Sequence, residues 1–354
     1  MAGHRTGSVG IFVIGTGGGR GPLELPPLVG NMIGEKLGKY TILESLGTGS
    51  MGTVYRADDP DGSVVALKLV RSQVLYDIGR RERFLQGILA ASLVHDERLC
   101  PILEIGDEND DFFLVMPWLE GKTLERYLEH KPIPWQQAVD LTIGVGEALG
   151  VAHAAGVVHR GVKPSNIWLR KDGTVVVSDC AVARFTEMAG NSRRRSIGPR
   201  VDFADTLIPL AALSYMSPEQ VRGDEVDLRT DIFSLGAVLY EMLTGRHPFD
   251  ARNSLSRMSA ILEGDPPLAI SRLGVIPAEL NRILRKALAK RPADRYPDMA
   301  EFIAELRVVR ESGAEEAGYP EGAGDLRRSR LAWWMLALAL LIAIAAGLLY
   351  FLKG

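Results

Sequence analysis

The sequence predicts an α+β protein of two unequal lobes, a small strand-rich one followed by a larger helical one, with a single membrane-spanning helix after them. Three observations carry this. From about residue 38 to 110 the apolar residues fall in short β-rich runs with one helix among them. From about 122 to 310 helical spacing dominates. Residues 331–352, "LAWWMLALALLIAIAAGLLYFL", contain no charged residue. The whole chain has 354 residues, 46% hydrophobic and 24% charged, which is a globular composition. Its net charge of −3 is spread without long single-sign blocks and excludes an electrostatic nucleic-acid surface. Two cysteines, Cys100 and Cys180, stand in unrelated contexts. They form neither a disulfide framework nor a metal spacing and suit a reducing compartment.

Taken in order, residues 1–37 read as a flexible leader rich in glycine and proline. Their "IFVIGTGGGRG" imitates a dinucleotide turn, but that motif needs a helix directly afterwards, and the prolines of "PLELPPLVG" break one. Met32 is an alternative start, since "MIGEKLGKYTILESLG" runs straight into the folded unit. That unit spans 38–310. "YTILESLGTGSMGTVYRADD" and "GSVVALKLV" predict strands joined by tight turns, and 78–94 predicts a helix. "WQQAVDLTIGVGEALGVAHAAG" and "EFIAELRVVR" predict helices of the second lobe. Residues 311–330 read as a juxtamembrane linker with a reach of roughly 25 Å by random-coil scaling.

At ~1.5 Å per residue the run 331–352 matches a hydrocarbon core of about 30 Å. Trp333, Trp334 and Tyr350 fit aromatic anchoring at two interfaces. Arg327, Arg328 and Arg330 precede the run and only Lys353 and Gly354 follow it, so the positive-inside bias places residues 1–330 in the cytoplasm. Any signal is then expected from the cytoplasm or from the membrane plane. Ala339, Ala343 and Gly347 recur at four-residue spacing, a face that permits a homodimer, although alanine is common in such spans.

The chemistry-bearing motifs lie in the folded unit. "LGTGSMGTVY" sets Gly47, Gly49 and Gly52 in a G-x-G-x-x-G turn between strands, where absent side chains let backbone approach phosphates. A lone Lys is by default a surface residue, but Lys68 of "VALK" follows the glycine turn at the spacing that puts an ammonium on the α- and β-phosphates. With "VVHRGVKPSNIWL" (157–169) and "VSDCAVA" (177–183) the order of motifs resembles a protein kinase domain, most similar to bacterial-type Ser/Thr kinases, over roughly 38–310.

The resemblance implies the bilobal kinase fold, with ATP and Mg2+ as cofactors and a protein as substrate or partner. It implies Lys163 near the γ-phosphate, Mg2+ on Asn166 and Asp179, and a hinge at "FFLVMPWLEGKTL" with Met116 at its entrance and Leu119 offering a backbone N–H to adenine. Structural roles follow for Arg160, for Asp231 bracing the catalytic loop, and for Glu219 of "SYMSPEQ" pairing with Arg295 of "RPADRY".

Departures from the family's pattern matter as much. Gly161 stands where an aspartate would accept the substrate hydroxyl proton. Ala211 and Ala212 stand where the family usually has Gly-Thr, whose hydroxyl braces that aspartate. Asp179-Cys180-Ala181 replaces D-F-G, so a bulky ring is missing. The residue aligned to pair with Lys68 is Gln86, and Glu82 lies about one turn earlier on the same side. Cys180 is read as a small buried apolar residue, with redox activity as the sharper alternative. Arg193–Arg195, with Ser192, Ser196 and Thr206, are read as a solvated basic loop or a modified or membrane-touching one. Three functions follow: a membrane-tethered pseudokinase that binds Mg-ATP, a weakly active Ser/Thr kinase, and a nucleotide-free interaction module.

Overall fold

The computed structural model describes residues 32–49, 52–70, 78–108, 111–182 and 213–317. Residues 1–31, the basic loop, Ala211, Ala212, residues 318–330, the small-residue face and the apolar run 331–352 lie outside the described residues. Two expected flexible stretches are shorter than the sequence suggests: Lys36–Leu37 form a strand with Leu37 buried in the same cluster as Tyr40, and 311–317 continue the last helix. Among the described residues no helix is long and apolar enough to cross a membrane.

The first lobe is a six-stranded antiparallel sheet in the order β1-β2-β3-β4-β6-β5. Its strands are β1 (Lys36–Leu37), β2 (Tyr40–Thr48), β3 (Gly52–Asp58), β4 (Val64–Val70), β5 (Glu104–Glu108) and β6 (Asp111–Pro117). Helix α1 (Ile78–Ser92) joins β4 to β5. Side chains alternate across the sheet with a period of two, which divides β6 between two apolar clusters. Phe113 and Val115 pack with Tyr40, Ile42, Tyr55 and Leu67 on one face. Phe112 and Leu114 pack on the other with Val70 and with Phe84 and Ile88 of α1.

The second lobe contains α2 (Leu124–Leu128), α3 (Trp135–Ala154), α4 (Pro218–Arg222), α5 (Arg229–Thr244), α6 (Ser254–Glu263), α7 (Ala278–Ala287) and α8 (Met299–Ala317). A small sheet, β7 (Lys122–Thr123), β8 (Ile167–Leu169) and β9 (Val175–Val177), bridges from Val177 to Leu99, and the Cys100 N–H donates to the Val177 carbonyl. Helix α5 is buried nearly all round, as its apolar sequence on every face requires. Around it α3, α7 and α8 close one core containing Leu149, Ile232, Leu239, Ile283 and Phe302. Gly146 lets α8 come close to α3, because a Cβ there would stand 2.9 Å from Ile303.

One buried ion pair ties α4 to this helical body. Arg295 donates through both Nη1 and Nη2 to Glu219 at 2.7 Å, and Thr230 of α5 donates to Glu219 Oε1 at 2.5 Å. The remaining guanidinium hydrogens reach the carbonyls of Ala289, Lys290 and Arg229. Both side chains are buried, so removing one strands the other's charge away from water. Arg295→Met is therefore expected to lower unfolding stability by about 3–5 kcal/mol, read as a reduced urea midpoint at unchanged slope. A change below about 1 kcal/mol would contradict this account, being the size expected of an exposed pair.

Candidate active site

The glycine turn is built by the pairing of β2 with β3, which reaches Thr48 opposite Thr53. The Gly49 N–H donates to the Gly52 carbonyl at 2.8 Å and closes it. Gly52 is required by its neighbour: a Cβ there would lie 1.8 Å from the Leu69 carbonyl oxygen on β4. The register Val54↔Lys68↔Leu114 then puts Lys68 in the centre strand behind the turn, buried.

The partner of Lys68 differs from the sequence expectation. Its Nζ lies 2.6 Å from Asp179 Oδ2, and neither Glu82 nor Gln86 bonds to it. Helix α1 explains this. Phe84 and Ile88 point into the core, and a residue two positions away on a helix is turned about 200° from it. Glu82 and Gln86 consequently share the outward face, and both are exposed.

The catalytic-loop segment hangs from Asp231 at the start of α5. The backbone N–H groups of His159 and Arg160 donate to its two carboxylate oxygens at 2.8 Å each, and His153 Nε2 lies 2.7 Å from Oδ2. Burial works to raise the Asp231 pKa, yet His153 and His159 outweigh it and hold the carboxyl below its usual range. Arg160 sits in the left-handed region at φ 65°, with its carbonyl accepting from Gln220 Nε2 at 2.8 Å.

His159 is fixed in one tautomer. The Gly161 N–H donates to its Nδ1 at 3.1 Å, so the ring proton is on Nε2, which donates to the Ser178 carbonyl at 2.9 Å. Burial pushes its pKa down. On the other side of Gly161, Asn166 Nδ2 donates to the Gly161 carbonyl at 2.9 Å. The backbone of Gly161 is thus held at both its N–H and its carbonyl, with no side chain on the residue between them.

Asp179 and Ala181 also have left-handed φ values, 64° and 61°, each uncommon outside glycine. Burial opposes the Asp179 carboxylate, but the adjacent Lys68, followed by Lys163 and His159, keeps its pKa below the ordinary carboxylate value. Lys163 is half-buried, and burial lowers its pKa against the attraction of Asp179. Met116 is buried on β6 opposite Ala66, and Leu119 follows that strand, half-buried. Behind Met116 and Asp179 is a cavity of about 10 Å³, room for roughly one water, lined also by Cys100, Cys180 and Val182. Burial pushes both thiols up to about 12, so each is protonated near neutrality and unsuited to redox attack.

Sequence reading missed three residues of this region. His153 ends α3 beneath the loop, and its signal was a histidine closing an apolar helix. Gln220 completes a capping box with Ser217, legible in the S-x-x-Q spacing of "SPEQ". Val182 packs with Phe84 and Ile88, giving α1 an apolar contact from the Asp179 segment although the ring at position 180 is missing.

A glycine turn over a strand lysine, a braced loop and a carboxylate between two lobes are the parts of a cleft of the protein kinase fold. The chain belongs to the protein kinase family, whose domain model matches residues 40–305. It is 33% identical over 285 residues to the serine/threonine-protein kinase PknL of Mycobacterium tuberculosis, covering 80% of this chain and 67% of that one. A probable serine/threonine-protein kinase of Clostridium perfringens is 32% identical over 284 residues, covering 79% of this chain and 39% of that one. For PrkC of Bacillus subtilis the identity is 31% over 281 residues, with coverage of 78% and 42%. The chain therefore spans about two-fifths of the length of two of these relatives. Among solved structures, the PknI kinase domain of M. tuberculosis matches at a TM-score of 0.58 and 23% identity over 78% of this chain and 98% of that one, a likeness of fold.

The histidines set an acid limit. His159 has a lowered pKa, and burial takes His247 down to about 3. Below about pH 6.5 the unfolded chain binds more protons at these two groups than the folded chain does, so stability rises with pH and falls as acid is added. Unfolding free energy is expected to be flat with respect to these two groups above about pH 7. Below pH 6 His247 should remove about 1.4 kcal/mol per pH unit down to about pH 3, and His159 acts in the same direction. Urea titrations from pH 8 to 5 test this, and stability that does not decline below pH 6 contradicts it.

Proposed function

We propose that this chain is a membrane-tethered protein of the kinase fold that binds Mg-ATP and acts as a pseudokinase, in signalling by scaffolding or allostery. The observation that carries the reading is Gly161, whose backbone is held by His159 and Asn166 while no carboxylate projects from it. Positioned general bases contribute typically ~10²–10⁴ in rate, about 3–5 kcal/mol of barrier.

The residues present fit the nucleotide and its metal. Asn166 commits Nδ2 to Gly161 and keeps Oδ1 for a ligand, and Asp179 offers a carboxylate. Hard oxygen donors of this kind suit Mg2+, which fills its shell with phosphate oxygens and water. Gly47, Gly49 and Gly52 would cover the phosphates, Lys68 would contact them on leaving Asp179, and Met116 and Leu119 would border the adenine. Mg-ATP so bound supplies the transferable γ-phosphoryl group. Lys163 would stabilise charge on it, and Asp231, His159 and Arg160 would keep the loop in place. Residues 331–352 would anchor the domain in a bilayer, with residues 1–330 on the cytoplasmic side.

A weakly active Ser/Thr kinase is the second reading, favoured by the retained Lys163 beside Asp179. Phosphoryl transfer passes through a loose transition state in which positioning and charge stabilisation carry most of the catalysis. Two measurements on the full chain decide. Mg-ATP is expected to raise the melting temperature saturably, and no stabilisation would leave the nucleotide-free interaction module. Transfer of labelled γ-phosphate to a peptide is expected at the level of the Asp179→Ala blank, with signal appearing in Gly161→Asp combined with Ala212→Thr. Transfer by the native chain at the level of that variant would overturn the pseudokinase reading. A small signal above the blank would select the weakly active kinase.

A further inference from the structure

Between α6 and α7 the chain makes a short excursion whose side chains alternate sharply between core and solvent. Ala269 and Ile276 are buried in the main core, whereas Leu268, Ile270, Leu273 and Val275 are 62%, 78%, 57% and 89% exposed. The excursion is a built feature. Asn281 of α7 accepts from the Ala269 N–H at 2.8 Å and donates to its carbonyl at 3.3 Å, clamping the entry to the loop. Ser271 bridges Gly274, so Arg272 and Leu273 form the tip, and the Leu273 N–H donates to Ser271 Oγ at 3.2 Å. Arg272 is exposed there, while the acidic Asp265 and Glu279 stand at the base.

Where this tip sits follows from the ion pairs of α7 with α8. Lys286 pairs with Glu301 and Arg282 with Glu305, so the helices are antiparallel and the start of α7 lies beside the residues after Glu305. The loop feeding α7 is therefore at the end of the lobe from which α8 leads onward to the uncharged run. Val308, 62% exposed, adds to the apolar surface at that end. Thirteen residues, 318–330, separate Ala317 from the run, and even fully extended they reach no more than about 45 Å.

We propose that Leu268, Ile270, Leu273 and Val275 form a membrane-contacting tip, which inserts into the interface of the bilayer holding residues 331–352 and sets Arg272 among anionic headgroups. Apolar side chains at an interface flanked by a basic residue are the combination such contacts use. The occupant is a lipid surface because the same chain carries an uncharged run of membrane-spanning length tethered to this end. The inference rests on the membrane tether proposed above.

The test uses the full chain in vesicles of phosphatidylcholine with a minor share of phosphatidylglycerol, exposed to a carbene-generating photolabel that partitions into hydrocarbon. Mass spectrometry reads labelling at 268–276, at 331–352 and at Leu93, an apolar side chain 77% exposed on the segment after α1. The expected result is label at 331–352 and at the tip, several-fold above Leu93. Leu273→Ser with Val275→Ser should return the tip to the Leu93 level without shifting thermal unfolding. Label at 331–352 with the tip at the Leu93 level overturns the proposal and leaves the tether standing. No label at 331–352 removes the tether and the proposal together. An unlabelled tip protected from hydrogen exchange only at high protein-to-lipid ratio assigns the face to a second copy, and overturns the proposal as well.

Discussion

The carboxylate of Asp231 is the point from which the site is hung. It is fully buried at the start of a buried helix, where an unpaired charge would cost several kcal/mol. Two backbone N–H groups and His153 satisfy it, and those N–H groups belong to the segment that carries Gly161. The core beneath the lobe and the conformation above it are thus coupled through one side chain. From Arg160, held at a left-handed φ, Gln220 extends the coupling to α4, and Glu219 extends it again to Arg295. Loop, α4 and helical body are joined by contacts none of which uses a side chain at position 161.

The other lobe is less committed. Lys68 meets Asp179 directly, and the outward face of α1 leaves Glu82 and Gln86 in solvent. In this arrangement the ammonium sits on the carboxylate that the proposed Mg-ATP would use, so under that proposal ligand binding would release the ion pair. The apolar contact of Val182 with Phe84 and Ile88 keeps α1 packed while its polar face turns away. A missing ring at Cys180 and a missing base at Gly161 thereby have different consequences. The first is compensated by packing, whereas residues 157–166 of the loop carry no other carboxylate in place of the second.

Much of this was legible before any coordinates. The strand runs and helical spacing were enough for the two lobes, because period is a local property, whereas Asn166 and Asp179 were singled out by the resemblance of the motif order to a protein kinase domain. The pairing of Glu219 with Arg295 was legible through the same resemblance, since 76 residues separate them. The rotation of α1 was not legible. A helix with weak amphipathicity admits more than one packing face, and which face turns inward depends on Phe112, Leu114 and Val182 arriving from distant segments.

The same division holds for the chemistry. Composition and local pattern alone settled that two cysteines make no framework and that residues 331–352 carry no charge, and the resemblance added that Gly161 stands where the family has an aspartate. These are facts of residue identity and spacing, which need no partner to be true. Only the tertiary structure decided that Lys68 pairs with Asp179, that His159 carries its proton on Nε2, and that Leu273 and Val275 face outward at the α8 end of the lobe. Each of those depends on which groups meet across long stretches of chain, and packing and electrostatics choose among contacts that local sequence permits equally.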